Sequence, residues 1–131
     1  MQGNFQYNKM VRLVNWYKVL RTTEADCVCL KPPFHFSDFK ETLLGTDQRY
    51  ADIELLICKR CYSHWLKYAV QYESFSGSGR WYRGLLSPST SKKICPKEAP
   101  LIIANLPWYF FGGPYFGHCG KRGRGDLYLE P

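Results

Sequence analysis

No stretch of this sequence approaches the ~18 consecutive apolar residues that a membrane-crossing helix requires. The N-terminus also lacks the charged start, apolar run and small-residue cleavage site of a secretory signal. Met1 to Gln6 is polar, and Met10 to Leu20 is interrupted by Arg12, Asn15 and Lys18. These absences lead to the expectation of a cytoplasmic protein with no membrane partner. There is no internal repeat at a solenoid period. No Ser, His and Asp set and no Cys and His pair stands in a motif for nucleophilic catalysis, which weighs against an enzyme. Acidic residues are few, eleven against eighteen Lys and Arg, so the formal charge is +7 and the pI is near 9.2. Such an excess is compatible with nucleic acid, an anionic membrane or an acidic protein surface as partner. The cations are scattered, clustering only at Lys59-Arg60, Lys92-Lys93 and Lys121-Arg122-Gly123-Arg124, which is first of all the pattern of a solvated basic surface.

What is present describes a foldable chain. With 131 residues it has the common size of one domain, and residues 1–131 are read as a single domain. Hydrophobic residues make up 45% and charged residues 22%, enough apolar material to exclude disorder. Ten Tyr, eight Phe and four Trp favour a half-buried sheet with aromatic-lined surfaces over a plain helical bundle.

The periodicities divide the chain. Met10, Leu13, Val14, Tyr17 and Leu20 recur at three and four, which predicts an N-terminal helix beginning near Asn8. Ser37 to Leu44 reads as a short capped helix ended by Gly45. Alternation of Ile53, Leu55 and Ile57 with Asp52, Glu54 and Leu56 predicts a strand that runs into Cys58. Leu66, Tyr68, Val70 and Tyr72 predict a second strand, Ser76-Gly77-Ser78-Gly79 a reversal, and Arg80 to Leu86 the antiparallel return. Ser87 to Pro96 reads as a linker, and Pro96 to Leu106 as a short C-terminal helix. Gly112 to Gly125 holds six glycines in fourteen residues and reads as loop, with Leu127 to Leu129 as a last edge strand. The fold class expected is therefore α+β, an antiparallel sheet with one helix at each end of the chain.

Chemistry is concentrated in the cysteines. Cys27-x-Cys29 is followed after 28 residues by Cys58-x-x-Cys61. Two closely spaced thiolate pairs supply the tetrahedron a structural zinc requires, and a reducing cytosol makes disulfides the poorer explanation. Four independent buried thiols are the alternative. His64 is a rival ligand, because Cys58-x-x-Cys61-x-x-His64 could make a three-ligand cluster with Cys27 or Cys29. A site of three protein ligands and one water would be catalytic zinc, with Glu54 or Glu73 as base, and a small metal-dependent enzyme follows as a third reading. Cys95 and Cys119 stand apart and read as packed or surface thiols, although His118-Cys119 with His35 could form a second site.

The paired knuckles, with strands beginning beside the second, resemble the zinc ribbon class of small metal-stapled folds over Cys27 to about Leu86. The resemblance implies a structural zinc and an antiparallel sheet, with a zinc-stapled part at about 24–86 and an aromatic, Gly-rich tail at about 97–131. In that tail Trp108, Tyr109, Tyr115 and Phe116 are candidate contact aromatics, and Lys121, Arg122 and Arg124 are candidate basic contacts. The leading function is a zinc-stabilised binding module for a protein partner, and the alternative is a nucleic-acid-binding zinc domain.

Overall fold

A computed structural model describes residues 27–131. The helix expected between Asn8 and Leu20 lies outside the described residues. The chain divides after Lys31 into two units. Of the first, the described part is a 3-10 turn, Val28–Leu30, closed by the Leu30 amide on the Cys27 carbonyl at 3.0 Å.

The second unit is one six-stranded sheet. Its strands are β1 (Phe39–Thr46), β2 (Asp52–Cys58), β3 (His64–Val70), β4 (Arg80–Leu86), β5 (Tyr109–Gly113) and β6 (His118–Gly123). Each is hydrogen-bonded to the next in sequence, and every pair is antiparallel. The one described α-helix is α1 (Ala99–Ala104), led by a 3-10 turn at Pro96–Glu98. The hairpin expected from the alternation of Leu66 to Tyr72 is present, with Tyr68 opposite Tyr82 and Leu66 opposite Gly84.

Period two puts different residues on the two faces. One face carries Ile53, Leu66, Tyr68, Val70, Tyr82 and Leu86, which pack with Ala99 and Ile103 of α1 into the core. Gly84 permits that packing, since a Cβ there would fall 2.4 Å from the Leu106 side chain and 3.6 Å from Ile103. The opposite face is covered only in part. Phe39, Leu56, Trp65 and Phe110 are buried there, and Phe34 stacks edge-on against Phe110 with ring centroids 5.1 Å apart.

At the β1–β2 turn the buried Asp47 carboxylate accepts the amides of Arg49 and Ala51 at 3.0 and 3.1 Å and the hydroxyl of Tyr68. These bonds offset its desolvation. They also fix a turn in which Tyr50 takes a left-handed φ of 59°.

Three expectations are corrected. Ser37 to Leu44 is not a helix: a 3-10 turn at Phe36–Asp38 leads into β1, where seven register partners on β2 outweigh local helical preference. Leu43, needed on the buried stripe of a helix, is 62% exposed. The glycine-rich segment is not all loop, since β5 and β6 run through it. Gly112 and Gly120 there serve close approach, because a Cβ on Gly112 would lie 2.8 Å from the Trp81 ring and one on Gly120 2.6 Å from Pro32. Finally, Leu127 to Leu129 forms no strand, and among the described residues β6 is the sheet edge. The tail is fastened by side chains instead: Arg80 Nη1 donates to the carbonyls of Tyr128 and Glu130 at 3.2 and 2.9 Å, and the Tyr72 hydroxyl to that of Leu129.

Candidate metal centre

The strand β2 ends on Cys58, and the chain turns back at once. The Tyr62 amide donates to the Cys58 carbonyl, and the Cys58 amide to the Ser63 carbonyl, each at 3.0 Å. Tyr62 adopts φ of 63°, a left-handed conformation costly for a tyrosine and retained where the surroundings demand it. The result is a tight knuckle with Cys58 and Cys61 both buried.

The sulfurs of Cys27, Cys29, Cys58 and Cys61 lie within 4.8 Å of one another, and all four residues are buried. A tetrahedral ion with metal–sulfur bonds of ~2.3 Å has sulfur–sulfur edges of ~3.8 Å, so this spread is compatible with four ligands on one ion. Two of the sulfurs have polar neighbours of the kind that orient metal-bound thiolates. The Arg60 amide donates to Cys58 Sγ at 3.4 Å, and Ser63 Oγ stands 3.0 Å from Cys61 Sγ.

His64 does not belong to the quartet. It begins β3, and its Nδ1 lies 2.8 Å from the Ser91 hydroxyl. Glu54 faces Lys67 at 4.0 Å, and Glu73 is exposed in the β3–β4 connection. Cys95 and Cys119 are exposed, and among the described residues no second group of three or more metal-binding side chains assembles around His35, His118 or Cys119.

The aromatic, basic tail is split between core and surface. Tyr109 is not a surface residue: it is 4% exposed, and its hydroxyl donates to the Gly125 carbonyl at 3.0 Å. Its position on the inner face of β5 follows from pairing with β4, which the sequence pattern alone did not reveal. Phe116 is half-buried, its ring centroid 4.8 Å from that of Phe111. Tyr115 is half-buried beneath the Arg80 guanidinium, 3.6 Å from its ring centroid. Trp108 is half-buried and carries the Arg122 guanidinium 4.0 Å above its ring. Lys121, Arg122 and Arg124 are exposed. Lys67 and Arg83 were missed as functional candidates, because neither stands in a motif and only the strand register shows that they oppose each other.

No protein family, curated protein or solved structure matches the chain. Among the described residues, no helix is long and apolar enough to cross a membrane.

Proposed function

We propose that this chain is a small cytoplasmic binding module for a protein partner, stapled by a structural zinc ion on Cys27, Cys29, Cys58 and Cys61. The observation that carries the proposal is the gathering of four buried sulfurs within 4.8 Å. An all-sulfur tetrahedral set favours zinc over the hard cations. Four protein ligands leave no open position for a reactive water, which makes the site structural and disfavours the catalytic alternative. The knuckle at Cys58–Cys61, joined to an antiparallel sheet, is the part of the molecule that resembles a zinc ribbon.

The partner surface is best supported at β5 and β6. Among the described residues no strand pairs the outer edge of β6, and an open edge is a site where another chain can add a strand. Arg122 over Trp108 beside that edge joins two residue types enriched in binding hot spots.

Two measurements test the proposal. Elemental analysis of protein purified from a reducing cytosol should find about one zinc per chain, as one such site requires. A metal-free protein that stays folded and ignores chelator overturns the zinc assignment. Binding to single-stranded DNA should be no tighter than roughly micromolar and should vanish with salt, as for any basic protein. Tight, sequence-selective binding at physiological salt, lost on replacing Lys121, Arg122 and Arg124 by Ala, would establish the nucleic-acid alternative instead.

A further inference from the structure

A cavity of about 520 Å³ opens on the sheet face opposite α1, and none of the four clustered cysteines lines it. Small-molecule pockets typically measure ~300–1,000 Å³. Lys67 and Arg83, register partners on β3 and β4, line this one together with His118. Phe34, Trp81 and Pro114 supply apolar wall, and among the described lining residues there is no carboxylate.

Like charges directly opposite in an antiparallel pair are destabilising. Arg83 is buried with its guanidinium over the rings of Phe34 and Phe39, at 4.2 and 4.7 Å. Lys67 has the Glu54 carboxylate at 4.0 Å, the outer limit of an ion pair. Glu41 and Asp52 add weaker attraction, yet burial first and the Arg83 charge second pull the Lys67 ammonium below the usual lysine range. A quarter of the Lys67 side chain nonetheless reaches solvent. The cleft thus presents an accessible cation beside an aromatic wall.

We propose that this cleft binds a nucleoside monophosphate, the phosphate on Lys67 and the base against the Trp81 and Phe34 wall. Trp81 pairs with Ala69, two residues beyond Lys67 on β3. The ring wall and the cation therefore stand on a sheet diagonal, ~7–8 Å apart at the backbone. A ring bearing its anion directly is too short to serve both, whereas a sugar spacer spans the gap. The wall is preformed. A Cβ on Gly112 would lie 2.8 Å from the Trp81 indole and one on Gly120 3.4 Å from it, so the ring rests directly against the β5–β6 backbone.

The experiment is a titration of the full-length protein, as purified, with AMP, adenosine and inorganic phosphate, followed by tryptophan fluorescence and calorimetry. AMP should bind saturably, with adenosine and phosphate each weaker by at least about tenfold, since each makes half of the contacts. Lys67→Gln should weaken AMP by about tenfold or more and leave adenosine unchanged. Glu54→Gln, which removes the carboxylate competing for Lys67, should tighten AMP by roughly threefold. A misfolded variant cannot produce that gain. Phosphate binding as tightly as AMP, unchanged AMP affinity in Lys67→Gln, or no saturation by AMP in the millimolar range each overturns the proposal. So does a single-stranded oligonucleotide that binds tightly and is not displaced by AMP, which would make this a nucleic-acid surface.

Discussion

The Tyr82 hydroxyl donates to the carbonyl of Tyr128 at 2.6 Å and accepts the amide of the same residue at 2.9 Å. One side chain on β4 thus satisfies both backbone groups of a tail residue, as a partner strand would. Tyr82→Phe keeps the ring packing and removes both bonds. At ~1 kcal/mol for each net hydrogen bond, it should destabilise by about 1–2 kcal/mol. Hydrogen exchange at the Tyr128 amide should accelerate well beyond the change in global unfolding, and unchanged exchange there would show that the tail is held by other contacts.

Alkaline pH should unfold the protein through its buried phenols. Burial pushes Tyr82 up to about 12, and burial together with the bond to Asp47 raises Tyr68 further. A phenol in the unfolded chain ionises near pH 10. Below that pH the contribution of these groups is fully present. As pH rises from about 10 through the folded values, the unfolded state loses protons first, and stability falls. Circular dichroism against pH should show the loss beginning near pH 10, and a flat profile to pH 12 would contradict it.

Tyr68→Ala and Gln71→Ala differ by three positions in sequence and should differ greatly in cost. Tyr68 is 0% exposed and its hydroxyl serves Asp47, whereas Gln71 is exposed. Truncating a large buried aromatic costs ~3–5 kcal/mol, against less than about 0.5 for an ordinary surface position. Urea unfolding of the two variants measures this, and similar midpoints would contradict the assigned register.

Cys58→Ser should unfold or aggregate the chain. A structural zinc site can contribute on the order of 10 kcal/mol to folding, comparable with the whole stability of a domain. Chelator should depress the melting temperature of the native protein, and the variant should show no cooperative melt. A native-like melt for Cys58→Ser would separate the cysteine cluster from any stabilising metal.

The central hairpin was legible because strict alternation, flanked by serines and glycines, admits one register. β4 falls on Arg80–Leu86, as the pattern indicated. The cysteine cluster was legible because ligand spacing is local chemistry. β1 was not, since Leu43 and Leu44 fit a helical stripe as well as an edge strand and only pairing with β2 decides between them. β6 was hidden by its glycines, which resemble turn signals until Trp81 is seen lying against them. The cleft was hidden for a related reason. Lys67 and Arg83 are each ordinary in sequence, and their opposition exists only in the register.

Strand order that follows chain order has a kinetic consequence. Every strand meets its sequence neighbour, so each hairpin can zip onto the last without threading or waiting for a distant segment. The widest gap between neighbouring strands separates β4 from β5, where Trp81 pairs with Gly112 across the segment holding α1. Loop-closure entropy makes that the slowest step of the ladder. The segment around Tyr128 follows, because the side chains that anchor it, Arg80 and Tyr82, are fixed in β4, 48 and 46 residues earlier. A chain emerging from the ribosome can therefore pair β1 to β4 before β5 and β6 are made, and the segment around Tyr128 is then tied across a sheet that already stands.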